Sequence, residues 1–107
     1  MISWITGTVI EEWGQGSRCG VLLSCKDIGY EIQILPNCSE DLNPNSKLVL
    51  WIHQVRREDG DHLFGFEIKG ERDLFRQLIS VSGIGPQVGM ALLTEYKVPE
   101  LIQAIVE

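Results

Sequence analysis

The sequence lacks any long apolar run. None approaches the roughly 20 residues that a membrane-spanning helix needs, which excludes such a helix from these 107 residues. Cysteine is sparse: Cys19, Cys25 and Cys38 form no C-x-x-C pair. That spacing gives neither a disulfide framework nor a zinc site, and His53 and His62 add no metal-ligand spacing. The odd cysteine count and the absence of a signal segment lead us to expect a reducing, cytosolic setting. Positive charge is also scarce. Nine Lys and Arg face fifteen Asp and Glu, for a net charge of −6. Residues 1–66 hold five basic and nine acidic side chains, and residues 67–107 hold four and six. This excludes a generally basic nucleic-acid coat, so any such binding has to use a local patch and backbone amides. There is no P-loop, no nucleophile elbow and no His/Cys cluster. No catalytic residue, metal or cofactor is therefore assigned.

What is present begins with period-two alternation. Ile28, Tyr30, Ile32 and Ile34 alternate with Gly29, Glu31 and Gln33, and Cys19, Val21, Leu23 and Cys25 do the same in the preceding segment. These are two half-buried strands joined by the short Lys26-Asp27 link. Ile2 to Trp13 reads as a long strand bent at Gly7. Leu48 to Val55 and His62 to Ile68 complete a set of five. Between them, residues 37–45 read as a polar loop with one short helical turn. Five strands with a longer connection before the fourth fit an OB-fold barrel over residues 1–66, and an SH3-like barrel has a similar strand count. Trp4 and Trp51 are expected to pack in the barrel, with Trp13 the exposed member of the three.

From Gly70 the period changes to that of a helix, with Leu74, Phe75, Leu78 and Ile79 on one face. The predicted fold is thus mainly β with C-terminal α, and residues 67–107 form the helical part. Gly83 is expected to stop the first helix and Pro86 to open the second, whose buried face is read as Val88, Ala91, Leu92 and Tyr96. Pro99 opens a third helix, Glu100 to Val106. Val81-Ser82-Gly83-Ile84-Gly85-Pro86 is the layout of a helix-hairpin-helix turn. Its glycines let backbone N–H groups approach a phosphate beside a helix N-terminus, with Ile84 as the anchor in the core. Gly85 is expected to use a backbone conformation closed to other residues. A plain glycine cap between packed helices accounts for the local residues equally well.

The segment from Trp51 to Phe66, with His53, Val55-Arg56-Arg57-Glu58-Asp59 and Leu63-Phe64-Gly65-Phe66, resembles the H-x-x-V-R-E-D-x-x-x-L-Y/F-G-F signature of the RuvA family. These are Holliday-junction-binding subunits of the bacterial RuvAB branch-migration complex. Glu71-Arg72-Asp73-Leu74-Phe75 and Leu78 to Pro86 are similar to the next block of that family, and the resemblance runs along the whole chain. It implies an OB-fold followed by a helical domain with two helix-hairpin-helix motifs, of which this chain would carry the first. It implies a homotetramer on Holliday-junction DNA, partnered with the RuvB hexameric ATPase through a further C-terminal domain, and with the RuvC resolvase. The chain is accordingly expected to be a fragment of a longer protein. By the same resemblance, Ser82, Gly83, Ile84, Gly85 and Gln87 would bind DNA phosphates, and Glu58 and Asp59 would form an acidic pin at the junction crossover. Arg56 and Arg57 are the basic contacts beside it. Family members often carry Lys or Arg where this chain has Gln87.

Each of these has a plainer alternative. Glu58-Asp59-Gly60 is ordinary turn chemistry at a solvated hairpin tip. Glu58, Asp59 and Asp61 are also the carboxylates that a Mg²⁺-dependent nuclease would need, but no second acidic cluster joins them. Lys69, Arg72 and Arg76 form either a basic patch near the hairpin or ion pairs with Glu71 and Asp73, pairing being the default. As a whole, the chain is read as a junction binder or as an oligomer-assembly module with weak non-specific DNA binding.

Overall fold

The computed structural model describes residues 1–38 and 42–106. Five strands, β1 (Trp4–Gln15), β2 (Arg18–Cys25), β3 (Ile28–Ile34), β4 (Lys47–Arg57) and β5 (Gly60–Phe66), close into a barrel of order β1-β2-β3-β5-β4. All pairings are antiparallel except β3 with β5, and β1 closes the ring on β4. This is the five-stranded OB-fold expected from the alternation. Residues 39–41, the middle of the predicted loop with its helical turn, lie outside the described residues.

The inward positions of the alternating strands fill the barrel with Ile5, Val9, Val21, Leu23, Ile32, Ile34, Leu48, Leu50 and Ile52. Cys19 and Cys25 pack against this cluster, as their parity predicts. Burial raises the Cys19 thiol pKa, helped by the nearby Glu12 carboxylate. The opposite parity serves a second core. Phe64 and Phe66, on the outer face of β5, meet Leu74, Phe75 and Leu78 of α1 (Lys69–Ile79), Met90 and Leu93 of α2 (Pro86–Glu95) and Leu101 of α3 (Val98–Val106). The helices therefore lie on the outside of the barrel, and β5 contributes to both layers.

Several sequence expectations are corrected. The register of β1 shifts between Val9 and Glu11. This bulge reverses which side chains face outward, and Trp13 ends up lying across the bare backbone of Gly20, opposite it in β2. Trp13 is thus half-buried, whereas Trp4 is 49% exposed. α1 ends at Ile79, capped by Ser80, and Gly83 lies further on in the turn. The buried face of α2 is Gly89, Met90 and Leu93, while Val88, Ala91 and Tyr96 are exposed. The reason is Gly89: a Cβ there would stand 3.1 Å from Phe75 and 3.2 Å from Ile79, so the two helices touch at a residue without a side chain. α3 starts at Val98, two residues before its expected first residue, and the Glu100 carboxylate accepts the Lys97 N–H at 3.2 Å. That is the reach-back half of a capping box.

Two basic side chains, Arg72 and Arg76, fasten α1 to the barrel, and Lys69 braces Asp73 within α1. Arg72 is only 7% exposed; its guanidinium donates to Ser3 O at 2.8 Å and to Asp73 at 2.9 Å, and lies 5.0 Å from the Trp51 ring centre. Lys69 bridges Asp73 at 2.7 Å. Hydrogen bonds from Lys69 and then Arg72 hold the Asp73 carboxyl below the usual range. Arg76 donates to His53 Nδ1 at 3.1 Å and to Ile52 O at 3.3 Å. Pairing, the default reading, therefore holds for Lys69 and Arg72, with Asp73 as the shared acid, whereas Arg76 binds groups on β4.

His53 leads to a pH prediction. Burial lowers its pKa below 6.5, and the charges of Arg76 and Arg72 lower it further. The native state therefore keeps His53 neutral, accepting from Arg76, while the unfolded chain takes up a proton as pH falls through about 6.5. Stability from this group is complete above that pH and is lost as pH falls toward the folded pKa. Urea midpoints should drop between pH 7.5 and pH 5.5, and His53→Gln should flatten the profile. A profile that is equally steep in the variant would refute the assignment.

Candidate nucleic-acid interface

The turn between α1 and α2 is built from backbone. Ser80 and Val81 N–H groups bond back to Gln77 and Leu78, Ile84 N–H bonds to Val81 O at 3.1 Å, and Gly89 N–H bonds to Gly85 O at 3.0 Å. Among the described residues, the N–H groups of Ser82, Gly83, Gly85, Gln87 and Val88 take no backbone acceptor. Those of Gln87 and Val88 are the orphan donors of a helix start. Ile84 packs against the outer core, as an anchor should. Gly83 carries the positive φ, +89°. Gly85 does not: it is the N-cap of α2 at φ −87° and ψ 176°, a conformation open to any residue. A Cβ on Gly85 would meet nothing within 4 Å. Neither the backbone nor internal packing requires a glycine at 85, so the space above it is free for something outside the chain.

The Gln87 side chain is occupied. Its amide and that of Gln33 on β3 exchange two hydrogen bonds, at 2.9 and 3.0 Å. Two half-buried amides, 54 residues apart, thus fasten the first turn of α2 to the outer face of the barrel. The backbone N–H of Gln87 and the second hydrogen of its Nε2 remain to be offered.

Glu58 and Asp59 form the two-residue turn between β4 and β5. Arg57 pairs with Gly60 across it, and Gly60 has φ +126°. Both acids are exposed. His62 Nε2 lies 3.1 Å from Asp59 Oδ1. That hydrogen bond is the main cause of an Asp59 pKa below the usual 3.8, so Asp59 keeps its charge to a lower pH than an isolated aspartate. Arg56 bridges Asp61 at 3.4 Å, and its side chain stays 85% exposed beside the tip. Among the described residues no three His, Cys, Asp or Glu side chains are grouped to hold a metal ion.

The tip and the start of α2 border one concavity. It is lined by Arg57, Glu58, Asp59 and His62 with Phe64, Gln87 and Arg18. Sequence reasoning located the turn and the tip but missed Gln33 and Arg18. Gln33 looked like any outward polar residue of an alternating strand, and no local signal distinguishes Arg18. No helix among the described residues is long and apolar enough to cross a membrane.

Comparison with known proteins sets this geometry in a family context. Residues 1–65 match the profile described as the RuvA N terminal domain. The chain is 53% identical over 105 residues to the Holliday junction branch migration complex subunit RuvA of Prochlorococcus marinus strain SARG, covering 98% of this chain and 47% of that protein. It is 52% identical over 108 residues to the protein of the same name from Prochlorococcus marinus strain MIT 9313, covering 100% and 48%. A Synechococcus sp. strain CC9311 protein of that name is 50% identical over 107 residues, covering 100% and 49%. The chain spans about half the length of these relatives.

Proposed function

The chain belongs to the RuvA N-terminal domain family, and from that premise we propose that it is a non-catalytic DNA-binding subunit that recognises four-way junctions by shape. One observation carries the reading: Gln87, in the first turn of α2 directly after the uncommitted amides of the turn, borders the same concavity as the acidic tip. Amides at a helix N-terminus attract a phosphate without reading a base. Carboxylates at the tip repel phosphates, which favours a crossover whose strands diverge around them over a continuous duplex. Ser82, Gly83, Gly85 and Gln87 bind through backbone N–H groups, with Ile84 as their anchor and Arg57 beside the tip. Assembly as a homotetramer around Holliday-junction DNA belongs to the same proposal. So do coupling to a RuvB hexameric ATPase that hydrolyses the ATP, an encounter with the RuvC resolvase, and a cytoplasmic location.

Neutralising the tip tests it. Glu58→Gln with Asp59→Asn should raise affinity for linear duplex several-fold and narrow the preference for a four-way junction. Both side chains are exposed, so stability should move by no more than about 0.5 kcal/mol. Gel shifts with both substrates read the ratio, and an unchanged ratio refutes the pin.

The assembly reading has one observation in its favour. Trp4 and Val49 stand exposed on the neighbouring strands β1 and β4, an apolar surface suited to a second copy. Native mass measurement beside the same gel shifts separates the two. A tetramer without junction preference supports assembly alone.

A further inference from the structure

The nine Lys and Arg side chains are used in different ways, and six of them bear on this surface or on the helices beside it. Arg56, Lys69, Arg72 and Arg76 are committed to partners within the chain. Among the described residues, Arg18 and Arg57 make no ion pair, and both line the concavity between α2 and the acidic tip. Arg18 opens β2 directly after the Gly16-Ser17 turn and is exposed. It also borders two adjoining hollows, one along the barrel face past Gln33 and His62, the other along α2 past Met90 and Thr94. Arg18 and Gln87 are common to all three, so together they mark the point where the hollows join.

The remaining charge of this surface is negative. Glu31, Glu58, Asp59, Asp61 and Glu95 border the same hollows. A phosphate entering such a groove meets repulsion everywhere except beside its two arginines. An unpaired guanidinium offers a phosphate up to five donors in a fixed fork. Several cations of this chain are unpaired among the described residues, but of these only Arg18 and Arg57 border the hollows.

We propose that Arg18 is a phosphate-binding residue that carries one DNA strand from the amides at the start of α2 across the groove toward Arg57 and the tip. This rests on the junction-binding reading above and adds a contact outside both the hairpin and the tip. The strand enters over Gly85 and Gln87, is held at Arg18, and turns away where Glu58 and Asp59 begin to repel it.

The test is a salt titration of four-way-junction binding by the 107-residue chain and by Arg18→Gln, Arg18→Lys and Lys47→Gln. Lys47 is an exposed cation at the start of β4 that borders none of these hollows. One lost phosphate contact lowers the slope of log affinity against log salt by about 0.9. Arg18→Gln should show that drop, with a loss of affinity on the order of fivefold at moderate salt. Arg18→Lys should keep the slope, and Lys47→Gln should leave it unchanged. An unchanged slope in Arg18→Gln overturns the proposal, as do equal drops in Arg18→Gln and Lys47→Gln. If the parent chain shows no junction preference, the functional reading fails and Arg18 with it. A parent with preference and an indifferent Arg18→Gln removes only the new contact.

Discussion

Gly85→Asp is expected to abolish four-way-junction binding while leaving the fold as stable as before or slightly more so. The two effects have opposite signs because they come from different sides of one residue. Gly85 is the N-cap of α2, its backbone conformation is open to any residue, and no side chain caps the helix there. Aspartate is a strong N-cap, better than glycine by a few tenths of a kcal/mol, and its charge suits the helix dipole. A Cβ meets nothing. In the complex, however, the carboxylate would occupy the phosphate position with a like charge. Such a clash costs about 3 kcal/mol, on the order of a hundredfold in affinity. Gly85→Asn separates charge from size: it caps the helix without repelling phosphate, and binding should fall much less. A thermal melt and a gel shift decide the matter. A collapsed melting temperature, or aspartate binding as tightly as the parent, refutes the placement of phosphate at this turn.

The largest effect on stability is expected from Phe75→Ala. Phe75 is fully buried, with ring centres 5.2 Å from Phe64, 5.1 Å from Phe66 and 5.7 Å from His53. Its ring also receives the bare backbone of Gly89. It therefore joins β4, β5, α1 and α2 at one point. Truncation removes the packing of the ring and leaves a cavity between layers that cannot collapse, at about 3–5 kcal/mol. Domains of this size have about 5–15 kcal/mol in all, so the urea midpoint should fall steeply with little change in m. Phe75→Leu, which fills more of the space, should lose markedly less. A midpoint that does not move would mean that the helices are held to the barrel by the Arg72, Arg76 and Gln33 contacts rather than by the aromatic core.

Strand alternation made the barrel legible in the sequence. β2 and β3 bury one face only, and each inward residue of Val21, Leu23, Ile32 and Ile34 announces itself by parity. The face of α1 was legible for the same reason. The face of α2 was not, because its centre is Gly89: hydrophobic periodicity registers side chains, and here the contact is made by the lack of one. The tryptophans were misassigned for two reasons. Trp4 sits on the outward parity beside inward Ile5. Trp13, turned outward by the bulge after Val9, is covered because it lies across the bare backbone of Gly20, and neither leaves a compositional mark. In the candidate interface, the turn and the tip were legible because each is a short contiguous run. The bond between Gln33 and Gln87 joins residues 54 positions apart, and only the fold brings them together. Arg18 belongs to the same class, since its place at the meeting of three hollows depends on β2, β5 and α2 at once.

The strand order of the barrel also sets a clock. β1 and β2, β2 and β3, and β4 and β5 can each pair as soon as both strands exist, because a two-residue turn joins each pair. None of these hairpins is a ring. Closure needs β1 to meet β4 and β3 to meet β5, contacts between distant parts of the chain whose entropy is spent before they are rewarded. Until they form, β1 and β3 each present an unpaired strand margin to which another chain can add. The rate of ring closure, and not the depth of the final energy well, decides how long that margin stays open to a second copy.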